Sequence, residues 1–345
     1  MRQGVGLRRG VCLCAAAWMA ALLLSAARAT EDLEEVSLAD ASYTPYVYVV
    51  APAKGVSYDD ATSLTVQAGG EYAQSMELEL VSQEGTQTFR SDSGEARHTF
   101  TFESPQTQGA LLIVRGYGAP GADGTRAAAE LRQEIPSPKE ELIEKMIALA
   151  YANSKDRRYK FAPAETDSDI GVCKNFVMRL FDTFSQDYRM LAYPELALHM
   201  PVNNSKKNCA PYDYGIEWKP ETAADGSPFE IAAQFKYDDA LSQEENAELA
   251  RQLLVQIRKG DFFQIVGYYG GGNGPHSMYI IADYDSQTEM IRWTDSNMRG
   301  TRIDGVRWGY MQYDADAPVD WWIDVFNRKK RGATLYRLRD DLYHK

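Results

Sequence analysis

The chain has 345 residues and a formal charge of −12, with only four cysteines and four histidines. That length leaves room for two domains, and an acidic surface repels nucleic-acid phosphates and anionic lipids, so neither is expected as a partner. No cluster of His, Cys and acidic residues has metal-ligand spacing, so no metal and no other cofactor is expected.

Arg8 and Arg9 precede the apolar run 11-VCLCAAAWMAALLLSAA-27, which ends in Ala27-Arg28-Ala29. This is the pattern of a secretory signal peptide over residues 1–29, cut after Ala29. A retained anchor is the rival reading, but the run is short for a spanning helix and no lipid-attachment cysteine stands at the cut. Residues 1–29 hold four arginines and no acid, so cleavage leaves 33 basic against 49 acidic residues, a charge of −16. The mature protein is then expected to be secreted or held in the cell envelope, off the membrane, with Cys173 and Cys209 as its remaining cysteines.

Residues 30–42 are polar and acidic and read as a flexible spacer. From 43 to 135, short β-type runs alternate with Gly-Gly, Ser-Gly and Pro-Gly breaks: 46-YVYVVA-51, 62-TSLTVQ-67, 76-MELELV-81, 97-RHTFTF-102, 110-ALLIVR-115 and 127-AAAELRQEI-135. Six or seven strands at this spacing predict an all-β sandwich of immunoglobulin type. It has no cysteine pair and must rest on its apolar core. A plain spacer is preferred to a glycan- or wall-binding role, because the sequence displays no aromatic platform.

Glu134-Ile135-Pro136-Ser137-Pro138 reads as a stiff linker. Ser137 with Glu140 makes a capping box, Pro138 suits the first helical position, and Leu142, Ile143, Met146, Ile147 and Ala150 follow at helical spacing, which predicts a helix over 138–152. A second domain, 137–345, starts here. It continues with a helix at Cys173, an irregular stretch 190–240, and a helix opened by Ser242-x-x-Glu245 and closed near Gly260. Strand-like runs follow at 262–269, 277–284, 289–295, 305–313 and 333–339. Helices followed by an antiparallel sheet make an α+β domain.

In 169-DIGVCKNFVMRLF-181, Phe176, Val177 and Leu180 continue a buried stripe from Cys173. Asp167, Ser168 or Asp169 is expected to cap this helix, which puts Cys173 in its first turn. There the helix dipole favours a thiolate, and free N–H groups could hold an oxyanion. Three readings of Cys173 stay open: a core residue, a disulfide with Cys209, and a nucleophile.

A nucleophile needs a base. His98 lies in a strand of the first domain, His199 in 194-PELALHMP-201, and His344 next to the C-terminus. His276 follows the glycine-rich 270-GGGNGP-275, which reads as a cleft edge or hairpin loop rather than a phosphate cradle, and it opens the strand 277-SMYII-281. A hairpin turning through Asp285 to Thr288 pairs residues whose numbers sum to about 573. It sets Asn297 opposite His276 and Asp295 diagonal to it on the same face. Either could fix the imidazole tautomer. Trp293, Trp308, Trp321 and Trp322 read as core aromatics or, less readily, as a groove for sugar or peptide.

A cysteine at a helix start, Gly260-Asp261 leading into an apolar strand, His-x-x-x-Ile, and an acid-x-Asn on the next strand together resemble the papain-like hydrolases of bacterial cell walls, the NlpC-type peptidases and CHAP amidases. The resemblance covers about residues 137–340. It implies a papain-like α+β domain, with Cys173 as nucleophile, His276 as base, and Asp295 or Asn297 as the orienting residue, since Asp295-Ser296-Asn297 is similar to the Glu-x-Asn of CHAP domains. It further implies that Tyr159, in 157-RRYKFAP-163, helps the oxyanion site beside the Cys173 N–H. The chain departs from the family at Val172-Cys173-Lys174-Asn175, where the usual motif is Asp-Cys-Ser-Gly.

The expected function is a secreted bacterial cysteine hydrolase cleaving an amide bond in peptidoglycan, as endopeptidase or amidase. The alternatives are a catalytically inactive papain-like module that binds wall or surface glycans from an immunoglobulin-like stalk, and an acyltransferase using the same thioester.

Overall fold

The computed structural model describes residues 44–57, 63–103, 108–156, 161–163, 173–198, 203–204, 215–216, 228–265, 276–330 and 332–344. The expected signal peptide and spacer, Tyr159, Asp167 to Asp169, His199, Cys209 and the glycine loop 270–274 lie outside the described residues.

Seven strands form the first unit: β1 (Tyr46–Ala51), β2 (Ser63–Glu71), β3 (Ser75–Ser82), β4 (Gly85–Ser91), β5 (Arg97–Glu103), β6 (Ala110–Pro120) and β7 (Arg126–Ile135). They make two antiparallel sheets, ordered β1-β2-β5 and β4-β3-β6-β7. In β5, His98, Phe100 and Phe102 are buried while Arg97, Thr99, Thr101 and Glu103 are exposed, the two-residue period of a strand with one wet face. Leu64, Val66, Phe100 and Phe102 meet Leu78, Leu80, Leu112 and Val114 between the sheets. Each such side chain contributes about 1.5–3 kcal/mol by burial. The sequence reading has no strand at β4, because GTQTFRS lies largely exposed on a sheet edge and carries no apolar alternation.

After β7 comes α1 (Pro138–Lys155). Its capping box forms: the Glu140 N–H donates to Ser137 Oγ at 3.1 Å, and the Ser137 N–H donates to Glu140 Oε2 at 2.7 Å. The next residue, Glu141, ties the two units together. Its buried carboxylate accepts from the N–H and hydroxyl of Ser57, lies 2.9 Å from His344 Nε2 and pairs with Lys145 at 2.6 Å.

The second unit is built on a seven-stranded antiparallel sheet ordered β12-β17-β13-β14-β15-β16-β8. Its strands are β8 (Phe161–Pro163), β12 (Phe229–Phe235), β13 (Phe262–Ile265), β14 (His276–Ile280), β15 (Met290–Ile303), β16 (Val306–Pro318) and β17 (Ala333–Leu338). Two separate short pairs join β9 (Tyr188–Met190) with β18 (Leu342–His344) and β10 (Asn203–Asn204) with β11 (Gly215–Ile216).

Helices cover both faces. On one, α1 and α2 (Lys174–Asp182) pack Leu142, Met146, Phe176, Val177, Leu180 and Phe181 on Phe262, Tyr279 and Tyr336. On the other, α3 (Gln243–Leu254) and α4 (Val319–Lys329) pack Leu253, Leu254, Trp322 and Phe326 on Phe263, Met278, Ile280 and Trp293. Strand alternation produces this division: Phe262 and Phe263 are neighbours in sequence but serve different cores.

Several elements differ from expectation. The Ser242 capping box forms, but α3 stops at Leu254 rather than near Gly260. The second helix of that face, α4, carries Trp321 and Trp322 and was not expected from the sequence. Trp293 and Trp322 are buried, which removes them from any groove. β15 and β16 run several residues beyond their expected ends. A bulge interrupts their register, so that Trp293 faces Ala315 while Asp295 faces Gln312. The extra residue falls on β16, where Asp314 has φ of 61° and holds Arg292 through paired 2.8 Å bonds.

Candidate active site

Cys173 is the N-cap of α2 rather than a first-turn residue, a correction to the sequence reading. Its φ of 58° and ψ of −115° lie where an L-residue is strained and glycine is at ease. Its carbonyl accepts the Val177 N–H at 3.2 Å, which starts the helix, and its own N–H donates to the Ser296 carbonyl at 2.5 Å. The Cys173 N–H, expected at the oxyanion site, thus has the Ser296 carbonyl as its acceptor. Cys173 forms no disulfide among the described residues, is partly exposed, and its Sγ receives the Ser277 N–H at 3.1 Å.

His276 is the first residue of β14 and only 1% exposed. The β14–β15 register pairs Tyr279 with Thr294 and Ile280 with Trp293. Both pairs sum to 573, and continuing them sets Asn297 opposite His276 and Asp295 diagonal to it. The fully buried Asp295 takes the imidazole: its Oδ2 lies 2.7 Å from His276 Nε2. On its other side His276 interacts with the Cys173 side chain.

Burial alone would push the His276 pKa down. The Cys173 sulfur and the Asp295 carboxylate outweigh it and hold the imidazole up to about 10. At neutral pH this favours imidazolium beside thiolate. Asn297 lies two residues beyond Asp295 on β15, partly exposed and paired with Tyr310 across the strands, and His276 Nε2 bonds to Asp295.

Sequence reasoning missed Ser277 and Ser296, whose backbone groups hold Cys173. The N–H and C=O of a residue carry no sequence signature, so only the register could have pointed to them. A cleft of about 1430 Å³ lies elsewhere, between the two units, lined among others by Lys54, Ser137, Ile143, Lys259 and Arg337. It does not touch Cys173, His276 or Asp295.

Among the described residues no group of His, Cys, Asp and Glu could hold a metal ion, and no helix is long and apolar enough to cross a membrane. No protein-family model, curated protein or solved structure matches the chain.

Proposed function

We propose that this chain is a secreted bacterial cysteine hydrolase that cleaves an amide bond, with the stem peptide or the sugar–peptide link of peptidoglycan as substrate. The observation that carries the reading is the continuous line from Cys173 Sγ through the His276 ring to the buried Asp295 carboxylate. A core cysteine requires neither a base nor a buried acid behind it.

The chemistry follows from that line. The Cys173 sulfur attacks the amide carbonyl and forms a C–S bond, while the amide π pair moves to oxygen. As the tetrahedral adduct collapses, the C–N bond breaks and the His276 imidazolium gives its proton to the leaving amine. His276, now neutral, takes a proton from water, whose oxygen attacks the thioester. The C–S bond then breaks, the acid leaves, and the thiolate–imidazolium pair is restored. Asp295 keeps the ring oriented and balances its charge throughout.

Three further points support the wider reading. The antiparallel three- and four-stranded sheets of the first unit suit an immunoglobulin-like sandwich. A cysteine heading a helix against the strand that carries its histidine suits a papain-like domain. The resemblance of Asp295-Ser296-Asn297 to the CHAP motif, together with the expected signal peptide, points to the cell wall.

The test is digestion of purified peptidoglycan sacculi, with released fragments identified by mass spectrometry. The wild type should liberate new amine and carboxyl ends, and Cys173→Ala, folded by circular dichroism, should liberate none. Equal digestion by Cys173→Ala, or intact sacculi after incubation with the wild type, would overturn the proposal.

A further inference from the structure

Pleat alternation sets His276 and Cys173 on opposite sides of the sheet. His276 faces Ile265 in the β13–β14 register, and Ile265, Met278 and Ile280 belong to the core beneath α3 and α4. Cys173 heads α2, whose Phe176, Val177 and Leu180 pack in the other core, with Phe262 and Tyr279. An unbroken β14–β15 ladder would separate the sulfur from the imidazole.

The hydrogen-bond parity of the ladder shows where it opens. The Ile280 N–H donates toward β13, to the Asp261 carbonyl at 2.9 Å, and the Ile281 N–H donates toward β15, to the Arg292 carbonyl at 3.2 Å. The two-residue period then turns the N–H groups of Tyr279 and Ser277 toward β15. Residues 277 and 296 also sum to 573, so the natural acceptor of the Ser277 N–H is the Ser296 carbonyl. The register ends one rung earlier, at Tyr279 and Thr294. At the next rung Cys173 takes both ends: the Ser296 carbonyl accepts its N–H, and the Ser277 N–H donates to its Sγ.

The backbone of Cys173 is strained because it must aim N–H and sulfur into the sheet while its carbonyl starts α2. Such a conformation persists only where its surroundings hold it. Glycine would relieve it but would bring no sulfur.

We propose that Cys173 is spliced into a broken rung of the β14–β15 ladder, and that the Ser277 backbone N–H released by the break is a catalytic donor holding the sulfur as a thiolate against His276. The catalytic part rests on the hydrolase reading. The effect on the thiol does not, and it is measurable without a substrate.

The experiment replaces the Ser277 amide with an ester, by incorporating the α-hydroxy analogue of serine, so that the side chain stays and only the N–H is lost. Iodoacetamide alkylation of Cys173 is followed against pH by peptide mass. Loss of a charge-assisted hydrogen bond should slow alkylation at acidic pH by about tenfold or more. An ester at Met278, whose N–H faces β13, should leave the profile in place while weakening the sheet comparably. In the wild type, the Ser277 amide proton resonance should titrate with the same midpoint as the alkylation rate.

An unshifted profile in a folded Ser277 ester, or one shifted equally by the Met278 ester, would overturn the inference. Should the ester protein fail to fold, a Ser277 resonance that stays fixed through the thiol titration would overturn it alone. Sacculi left intact by a protein whose Ser277 resonance does follow the thiol would defeat the hydrolase reading and leave the splice standing.

Discussion

Asp295→Asn separates a charge relay from mere packing, because it keeps the shape of the side chain and removes one buried charge. In the folded protein the His276 imidazole is held up to about 10, above its ordinary 6.5, against the downward push of burial. A raised pKa contributes stability that is whole below pH 6.5 and is lost as the pH climbs through 10. The 2.7 Å contact sets the two charge centres roughly 4 Å apart, worth about 4 kcal/mol at an effective dielectric near 20, or at most about three pKa units. Without it the imidazole falls back toward its ordinary 6.5, so at neutral pH the thiolate loses much of its counterion and the thiol becomes harder to ionise. Iodoacetamide alkylation of Cys173, measured between about pH 4 and 10, reads this directly. The acid limb of the rate profile should move up by about one to three units, and sacculus digestion should fall by about 10²–10⁴. A folded Asp295→Asn protein whose alkylation profile overlays the wild type would refute the argument and leave Asp295 as a packing residue.

Glu141→Gln tests the joint between the units. Burial pushes this carboxyl up, but His344, Lys145 and Ser57 outweigh it and hold the pKa down to about 2, below its ordinary 4.5. The stability is therefore present above pH 4.5 and lost as the pH falls through 2. It amounts to about 3 kcal/mol, and the variant should lose that much at pH 7, measured as the difference in urea unfolding; parallel wild-type and variant curves from pH 7 to 2 would refute it. Gly260→Ala should destabilise by about 1–3 kcal/mol, since residue 260 has φ of 91° and a new Cβ would stand 2.5 Å from Ile143 Cδ1. An unchanged melting temperature would show that the turn relaxes freely.

What local chemistry decides was legible in the sequence. Ser137 with Glu140, and Ser242 with Glu245, start helices by bonds that span three residues, and the alternation in β5 is a property of seven consecutive residues. The sum of 573 also follows from a short hairpin, which is why the sequence alone places His276, Asn297 and Asp295 relative to one another. The exposed edge strand β4 and the ends of β15 and β16 were not legible, because their hydrogen bonds go to partners the sequence does not mark. α4 escaped for a related reason: Val319, Trp322, Ile323 and Phe326 acquire their meaning only from the face of the sheet they cover. The contact of Asp295 with His276, the bond of the Cys173 N–H to Ser296, and the approach of Ser277 to the sulfur were decided by tertiary structure alone. Each depends on backbone groups more than a hundred residues from Cys173, or on the buried geometry around His276, and a peptide N–H or C=O is the same at every position of a sequence until the fold selects its partner.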